Sequence, residues 1–291
     1  MKKITGKAYA KINIGLDVLR RREDGYHELK MIMQTVDICD DLQFEKTAEP
    51  GIVIQSNHKE LPVDGSNLIY KAADLLFREK GITEGVKITL VKRIPIAAGM
   101  AGGSSDAAAT MRGLNELFRM EYSIRELQEL GVKLGADIPY CLVGGTMLSE
   151  GIGEILTPLP TPPDCFLVVA KPDIDVSTGF VYGNLHADRL TYHPDIDGMI
   201  EALREGSLSG ITDRLGNVLE TVTVREYPVI EELKELMRSM GAENALMSGS
   251  GPTVFGIFRK RETAESAARA IEDKGLAGQI FVTTFYNGIT E

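Results

Sequence analysis

Two long stretches of alternating and apolar residues at the start of the chain predict a strand hairpin. Residues 3–20 and 28–46 form its two strands, and the intervening Asp24-Gly25 is a turn dipeptide suited to positive φ. The later segment VKITLVKRIP, residues 86–95, again alternates apolar and polar positions, which predicts a half-buried strand. The first half of the chain therefore starts with paired strands and continues into a further strand.

Apolar residues at intervals of three and four predict helices between and after these strands. The segment SNLIYKAADLLFREKG has Ser66 or Asn67 as its N-cap and Gly81 as its terminator. A later helix begins at SIRE, where Ser123 and Glu126 have the spacing of a capping box. The pattern is typical of a mixed helix and strand protein.

The composition changes after a run of four prolines between Pro158 and Pro163. Domain boundaries fall in such stretches, so we predict two domains, residues 1–160 and 161–291, with the boundary near residue 160. In the second half, β, α, β, α and β elements follow one another. Elements of this length predict an α+β sandwich with its helices on one face.

A glycine- and serine-rich segment follows the strand that ends near residue 95. In PIAAGMAGGSSDAAATMRGL, residues 95–114, the glycines precede a helix that the apolar spacing predicts from Ser104 to Phe118. The N–H groups and dipole at a helix N-terminus attract anions, and glycines let the backbone approach a ligand closely. A phosphate site is one interpretation, and a plain loop with a Ser or Asp cap is the other. The Gly-Lys-Ser/Thr ending of a P-loop is absent.

Asp137, in GADIPYCLVGG, stands just before a predicted helix. Ile138 precedes a proline and is expected in extended geometry, while Pro139 suits the first helical turn. The helix dipole would favour the ionised carboxylate of Asp137, but Asp137 could also be only a cap. A second glycine-rich loop, SGSGPT at residues 248–253, is expected between a helix and a strand, either as a ligand loop or as a tight turn.

Charge and composition exclude several classes of partner. The net charge is −10, whereas a broad nucleic-acid surface needs clustered Lys and Arg. No apolar run reaches the roughly 18 to 20 residues of a membrane span, and the N-terminal segment lacks the apolar core of a secretory signal. We therefore expect no nucleic-acid partner, no membrane partner and a cytoplasmic location.

The cysteines and histidines do not have the spacing of a metal site. Cys39, Cys141 and Cys165 match neither a disulfide framework nor a CxxC motif, and the four histidines form no HExxH motif. Buried free thiols are therefore expected, and no metal ligands are assigned.

Three segments of the chain, in the expected order, resemble the GHMP kinases. They are KAYAKINIGLDV near the start, PIAAGMAGGSSDAAA in the middle and MSGSGPTVFGIF near the end. The resemblance covers essentially the whole chain and implies a two-domain α+β GHMP kinase fold. Its N-terminal half would be like ribosomal protein S5 domain 2, its C-terminal half would be ferredoxin-like, and the site would lie in the cleft between them.

Two further segments, AKINIGLDVLRRREDGYHEL and LGADIPYCLVGG, resemble one branch of these kinases. That branch phosphorylates the C2 hydroxyl of a cytidine-diphosphate-linked methylerythritol in the non-mevalonate isoprenoid pathway. The resemblance implies ATP as the phosphoryl donor and a small-molecule, cytidine-diphosphate-linked substrate as the partner. Mg²⁺ is expected with the nucleotide, held largely by phosphates and water, because no carboxylate cage is evident.

By matching motifs, the resemblance assigns Lys11 and Asp137 as catalytic residues. Asp137 would accept the proton of the hydroxyl, and Lys11 would keep Asp137 ionised and polarise that hydroxyl. The glycine-rich segment would cradle the ATP phosphates, with its glycines and serines nearest to them. The nucleotide-binding residues so assigned are Pro95, Ile96, Ala97, Ala98, Gly99, Met100, Ala101, Gly102, Gly103, Ser104 and Ser105.

The resemblance also assigns residues to the acceptor. Asn13 lies two residues after the catalytic lysine, hence on the same strand face, and can hydrogen-bond the substrate. Tyr26 would stack on the cytosine and His27 would hydrogen-bond it. In DVSTGFVYGNL, Tyr182 is assigned to the opposite face of the base in preference to Phe180, which predicts a sandwich with Tyr26.

Two other functions remain open on the sequence. Mevalonate diphosphate decarboxylase shares the AKxN start and the glycine-rich segment, although REDGYH and LGADIP argue against it. A non-catalytic nucleotide-binding relative would keep the segment without the chemistry, but the presence of both Lys11 and Asp137 argues against that. The sequence does not indicate the oligomeric state.

Overall fold

The computed structural model describes residues 3–288, which form two β-sheets with helices packed against them. The strands of the first sheet are β1 (Lys3–Arg21), β2 (His27–Thr47), β3 (Gly51–Ser56), β4 (Gly85–Val91), β5 (Thr146–Gly151), β6 (Ile155–Pro158) and β8 (Gly216–Asn217). Those of the second sheet are β7 (Phe166–Lys171), β9 (Asn244–Met247), β10 (Val254–Phe258) and β11 (Gln279–Thr283).

The helices follow the same chain order. They are α1 (Leu68–Lys80), α2 (Gly102–Phe118), α3 (Ile124–Gly131), α4 (Ile138–Val143), α5 (Thr178–Asn184), α6 (Ile196–Arg204), α7 (Leu208–Thr212), α8 (Glu220–Glu226), α9 (Val229–Ser239) and α10 (Arg261–Asp273). The predicted caps are confirmed: Asn67 accepts a hydrogen bond from the Ile69 N–H, Gly81 is left-handed, and Ser123 and Glu126 form the capping box. None of the helices in residues 3–288 has the length and apolar character needed to cross a membrane.

The predicted hairpin is confirmed, and its strands β1 and β2 pair antiparallel around Gly25, whose φ is 88°. The pairing register shifts between Tyr9 and Lys11, and again between Asn13 and Gly15. Such irregularities twist a strand locally and change the direction of its side chains. The stretch of β1 that carries Lys11 and Asn13 therefore lies between two irregular points that alternation alone does not predict.

The first sheet buries one face under helices α1 and α2. Its strand order is β3-β4-β2-β1-β8, and β5 pairs with both β2 and β6. The residues Val86, Ile88 and Leu90, predicted to share a face of β4, are all completely buried in this core. Gly113 of α2 lies against the Phe44 ring so closely that any side chain would overlap it, which holds α2 directly on the sheet.

The second sheet has the topology of a ferredoxin-like domain. Its strand order is β11-β7-β10-β9, all neighbours are antiparallel, and α9 and α10 supply the two crossovers. Ile230 and Leu233 of α9 share a core with Ala267 and Ile271 of α10 on one face. Helices α9 and α10 lie on one face as predicted, but the opposite face shares a core with α6 and α7, so helices are not confined to one face.

Some segments of the second half return to the first sheet. Strand β8 pairs with residues 15–16 of β1, and Phe285 forms a bridge with Val36. The boundary near residue 160, with domains 1–160 and 161–291, stays a prediction. The second glycine-rich loop, residues 248–253, joins two strands, β9 and β10, so the predicted helix before it is wrong.

The thiols of Cys39, Cys141 and Cys165 are free, as predicted. Cys165 is buried, whereas Cys39 and Cys141 are only partly buried at the side of the first sheet and in α4. Burial raises the pKa of the Cys165 thiol to about 12, so it stays protonated at neutral pH.

Candidate active site

A cleft of about 860 Å³ brings together most of the residues that the sequence assigned to a site. Both halves of the chain contribute to its walls. The assigned residues that line it are Lys11, Asn13, Tyr26, His27, Pro95, Ile96, Ala97, Ala98, Gly99, Ala101, Gly102, Gly103, Ser104, Asp137 and Tyr182. The two assigned residues outside its lining are Met100 and Ser105.

The glycine-rich segment forms a sharply bent loop that ends at the N-terminus of α2. Helix α2 begins at Gly102, so the predicted start at Ser104 is two residues late. The preceding Ala97, Gly99 and Ala101 all have positive φ, of 51°, 68° and 55°. Left-handed residues of this kind fold the backbone into a concave anion-binding loop. The helix has no side-chain cap, so the interpretation as a loop capped by Ser or Asp is wrong.

Met100 and Ser105 fasten this loop to β1. The Met100 carbonyl accepts a hydrogen bond from the Lys11 N–H at 3.2 Å. The Ser105 hydroxyl donates to the Tyr9 carbonyl at 2.6 Å, and both Met100 and Ser105 are buried. These two residues fix the loop beside Lys11 of β1, and the loop residues around them face the cleft.

The second glycine-rich loop supports the first. The Ser248 hydroxyl donates to the Gly99 carbonyl at 2.9 Å, and Gly249 and Ser250 line the same cleft. A side chain at Gly99 would overlap the Ser248 carbonyl, so the two loops pack backbone against backbone. The sequence suggested either a ligand loop or a tight turn at residues 248–253. Neither interpretation predicted that this loop packs on the first glycine-rich loop.

Lys11 and Asn13 share one face of β1, as predicted. Lys11 is only 5% exposed, and its Nζ donates to Asn13 Oδ1 at 2.7 Å. Asn13 is completely buried, and its amide donates to the Met31 sulfur at 3.2 Å. A buried ammonium is thus held at the floor of the cleft by a neutral partner.

Asp137 occupies the N-cap position of α4 without making a capping hydrogen bond. The interpretation of Asp137 as only a cap is therefore wrong, and its carboxylate faces the cleft. Ile138 belongs to the helix, so the prediction of extended geometry is also wrong. The Ile138 N–H donates to the Gly135 carbonyl at 3.1 Å, and α4 starts at Ile138, one residue before its proline.

Lys11 and Asp137 approach the same region from different elements. Within residues 3–288, no ion pair shorter than 4.0 Å joins them. Burial raises the pKa of the Cys141 thiol; the Asp137 carboxylate raises it further and the Lys11 ammonium lowers it. Both charges therefore act on one thiol behind the cleft. An acceptor hydroxyl that contacts both Lys11 and Asp137 would need space between these two side chains.

At the other end of the cleft, three aromatic side chains form its wall. Tyr26 is 60% exposed. The ring centroids of His27 and Tyr182 lie 5.2 Å apart, and the angle between the ring planes is 34°. Burial, together with the Arg21 charge, lowers the pKa of His27, which favours the neutral imidazole at physiological pH. Phe180 is exposed on α5 and does not line the cleft, unlike Tyr182.

The structure also contains a buried ionic cluster that the sequence analysis missed. The Lys92 Nζ lies 2.6 Å from both Asp40 Oδ2 and Asp106 Oδ2, and all three side chains are buried. Burial, and after it the Asp40 carboxylate, raises the pKa of Asp106 to about 8, although Lys92 opposes this shift. Lys92 packs under Gly102, so the cluster supports the first turn of α2. An Asp at the third position of a predicted helix and a Lys at the end of a strand are too common to signal such a cluster.

The raised pKa of Asp106 predicts a pH-dependent contribution to stability. Between about pH 4 and pH 8 the folded protein binds more protons at Asp106 than the unfolded chain does, so the free energy of unfolding falls as pH rises. Asp106→Asn removes this dependence. The free energy of unfolding of the variant, relative to that of the wild-type protein, is therefore expected to be higher at pH 8 than at pH 5. Urea unfolding at the two pH values measures the difference, with Asp41→Asn, a change at a partly exposed carboxylate, as control. An unchanged pH slope in Asp106→Asn would contradict the assignment.

Comparisons with known protein families agree with this arrangement. Residues 67–145 match the family described as GHMP kinases N terminal domain, and residues 194–277 match GHMP kinases C terminal. The first range contains the glycine-rich segment and Asp137, and the second contains the loop at residues 248–253. The fold and the cleft define the protein as a GHMP kinase, a class of ATP-dependent kinases.

Individual relatives narrow this class. A protein of Lachnoclostridium phytofermentans named 4-diphosphocytidyl-2-C-methyl-D-erythritol kinase is 51% identical over 97% of both chains, and one of Lachnospira eligens with the same name is 49% identical over 97% of this chain and 98% of its own. The chain belongs to the family of 4-diphosphocytidyl-2-C-methyl-D-erythritol kinases. A crystal structure of a 4-(cytidine 5'-diphospho)-2C-methyl-D-erythritol kinase superposes with a TM-score of 0.83 at 35% identity, covering 98% of this chain and 100% of that chain. A homoserine kinase from Cytophaga hutchinsonii, 19% identical with a TM-score of 0.76 over 98% and 97% of the two chains, shares the fold.

Proposed function

We propose that the protein transfers the γ-phosphoryl group of ATP to the C2 hydroxyl of 4-diphosphocytidyl-2-C-methyl-D-erythritol. The observation that carries the proposal is that one cleft holds the N-terminus of α2, Lys11, Asp137 and the His27–Tyr182 pair. An anion site, a general base and an aromatic wall are the three parts that this reaction requires. The family of the chain supports the same substrate.

The phosphates of ATP bind at the glycine-rich loop. The first N–H groups of α2 have no intrahelical acceptor, and the helix dipole adds positive potential there. Gly102 and Gly103 leave this surface without side chains. Ser104 lies beside Gly135, two residues before Asp137, so the phosphate loop and the base are adjacent.

In the transfer, the C2 oxygen of the acceptor bonds to the γ-phosphorus, and the bond from that phosphorus to the β,γ-bridging oxygen breaks. ADP carries away the electron pair of the broken bond. Asp137 takes the hydroxyl proton, and the Lys11 ammonium stabilises the negative charge that develops on the oxygens. Asn13 holds Lys11 Nζ at 2.7 Å, so the ammonium is oriented before substrate binds.

Mg²⁺ accompanies the nucleotide in this proposal. Oxygen donors that line the cleft, among them the Ser104 hydroxyl and the Asp106 carboxylate, are of the type that Mg²⁺ prefers, and phosphates and water would complete its shell. Residues 3–288 contain no group of three or more His, Cys, Asp or Glu side chains arranged for a metal. The ion would neutralise charge on the transferred group, and the protein would supply few of its ligands.

The cytosine of the acceptor binds at the aromatic wall. The His27 and Tyr182 rings, 5.2 Å apart, contact each other and leave no space for a base between them. The base would therefore lie between this pair and Tyr26, with neutral His27 able to donate to it and accept from it. The sandwich of the base between Tyr26 and Tyr182 stays a prediction. In this arrangement His27 supports the Tyr182 ring.

Tyr26→Ala is expected to lower kcat/KM for the acceptor by about one to two factors of ten. Stacking of a base on an aromatic side chain contributes roughly 1–3 kcal/mol, and remote binding energy also orients the reacting hydroxyl. Tyr26 is the better probe because Tyr182 also packs on the core of the second sheet. Steady-state kinetics with each substrate varied, and thermal melts, measure the effect. The control is Tyr192→Ala, a comparably exposed tyrosine outside the cleft lining.

An equal loss of kcat/KM for ATP and for the acceptor in Tyr26→Ala would contradict this assignment. The proposed function itself is tested by ADP release in the presence of ATP and the cytidylated acceptor. ADP release that is independent of the acceptor, or that needs mevalonate diphosphate in its place, would contradict the proposal.

A further inference from the structure

Arg112 joins three elements of the first half through one guanidinium group. It lies on α2, and its Nη1 donates to the carbonyls of Cys141 and Leu142 at 3.0 Å and 3.1 Å. Its Nη2 donates to the Lys7 carbonyl of β1 at 3.3 Å. The planar guanidinium of arginine presents five donors in fixed directions, so one side chain can hold acceptors on two separate elements in a defined geometry.

Each of these elements carries one part of the active site. Helix α2 starts at the phosphate loop, α4 starts after Asp137, and β1 carries Lys11 four residues, or about 13 Å, beyond Lys7. The carbonyls that Arg112 binds on α4 belong to its last turn, where a helix has no internal donors left. A cation at that end also interacts favourably with the helix dipole.

We call the hydrogen bonds of Arg112 to the carbonyls of α4 and β1 the clamp. The clamp acts close to Asp137 because α4 is short. Its six residues span about 9 Å, so a displacement of its C-terminal end moves Asp137 as well. The N-cap side chain of Asp137 makes no hydrogen bond that would fix it independently. The position of the carboxylate therefore depends on how α4 is held by its neighbours.

We propose that Arg112 is a positioning residue, which sets the distance of Asp137 and Lys11 from the γ-phosphate at the start of α2. This inference rests on the proposed function, since it assigns Asp137 and Lys11 to the transfer. A misplacement of 1 Å at a reacting centre can cost about 10²-fold in rate. Loss of the clamp is expected to lower kcat by about tenfold or more, with little change in KM for ATP, because the phosphate loop keeps its own contacts with β1.

The test compares Arg112→Met with a matched variant on the same helix. Met keeps the length of the side chain and removes its donors. Asn115→Ala removes the two hydrogen bonds, of 2.9 Å and 3.0 Å, between Asn115 and the Tyr122 backbone, which tie α2 to the chain before α3 and touch neither β1 nor α4. Arg112→Lys keeps a cation near α4 without the bridge to β1.

We expect Arg112→Met to lower kcat selectively. Asn115→Ala should lower the melting temperature and keep kcat near that of the wild-type protein. Arg112→Lys should recover the melting temperature more than kcat. Two results would overturn the inference: Arg112→Met and Asn115→Ala both lose stability and both keep kcat, or Arg112→Lys restores kcat fully. Either would make Arg112 a residue of stability alone.

Hydrogen exchange gives a readout that does not depend on the acceptor. In Arg112→Met the amides of residues 138–143, other than Pro139, which has none, should exchange faster while those of residues 105–110 stay protected. If the wild-type protein releases no ADP with the cytidylated acceptor, the proposed function fails, whereas exchange still reports whether the clamp holds α4. Unchanged exchange in residues 138–143 would overturn the clamp whatever the substrate.

Discussion

Asp137→Asn is expected to lower kcat by about 10²- to 10⁴-fold, the usual contribution of a general base. The amide has the shape of the carboxylate but cannot accept the hydroxyl proton. Asp137 makes no capping hydrogen bond at α4, so the substitution removes no capping contact of its side chain. ATP affinity should therefore stay near normal, and the loss should lie in kcat.

Single-turnover kinetics with saturating ATP and acceptor measure this loss directly, and nucleotide titration checks the affinity. Asp40→Asn is the matched control, since it makes the same chemical change in a buried carboxyl that pairs with Lys92 and does not line the cleft. If Asp137→Asn retained more than about a third of the wild-type kcat, Asp137 could not be the base.

Gly103→Val is expected to raise the Kd for ATP by about ten- to a hundredfold without unfolding the protein. Hydrogen bonds to a charged group contribute roughly 1.5–3 kcal/mol, and a branched side chain in the first turn of α2 keeps the phosphates from the backbone. The structure has room for the substitution, because the nearest atom to an added Cβ is in the Leu68 side chain at 3.5 Å and Gly103 is exposed.

Calorimetric titration of ATP, with thermal melts, measures both parts of this expectation. Gly99→Ala provides the contrast: Gly99 has a φ of 68° and packs on the Ser248 carbonyl, so that variant should lose stability first. Normal ATP affinity in a folded Gly103→Val protein would show that phosphate does not approach the backbone of α2.

The elements of this fold were predictable where local signals decide them. The Asn67 cap, the left-handed Gly81 and the Ser123–Glu126 capping box appear in the structure as the sequence predicts. Each depends on interactions within a few residues of chain. The same holds for the hairpin at Asp24-Gly25 and for the apolar face of β4.

The features that the sequence did not predict depend on contacts between distant segments. The left-handed conformation of Ala97 and Ala101 is uncommon for alanine, and no local rule anticipates it. The support of Gly99 by Ser248 joins residues from opposite ends of the chain. The Lys92 cluster likewise requires β2, the end of β4 and α2 to meet before its carboxylates share one ammonium.

The cleft follows from both kinds of information. Lys11 and Asp137 were assigned from motifs, but only the fold shows that they approach one another without forming an ion pair within residues 3–288. The aromatic wall was assigned in part, and the contact between His27 and Tyr182 was not anticipated. Side chains that meet across two sheets leave no periodic signal in a sequence.

The most direct test of the account is to identify the product by phosphorus NMR after incubation of the protein with ATP, Mg²⁺ and 4-diphosphocytidyl-2-C-methyl-D-erythritol. One ADP is expected for each new phosphomonoester, with the ester on the C2 oxygen, and Asp137→Asn is expected to form the same ester about 10²- to 10⁴-fold more slowly. A phosphate on another oxygen, ADP with free phosphate and unchanged acceptor, or full activity in Asp137→Asn would contradict it.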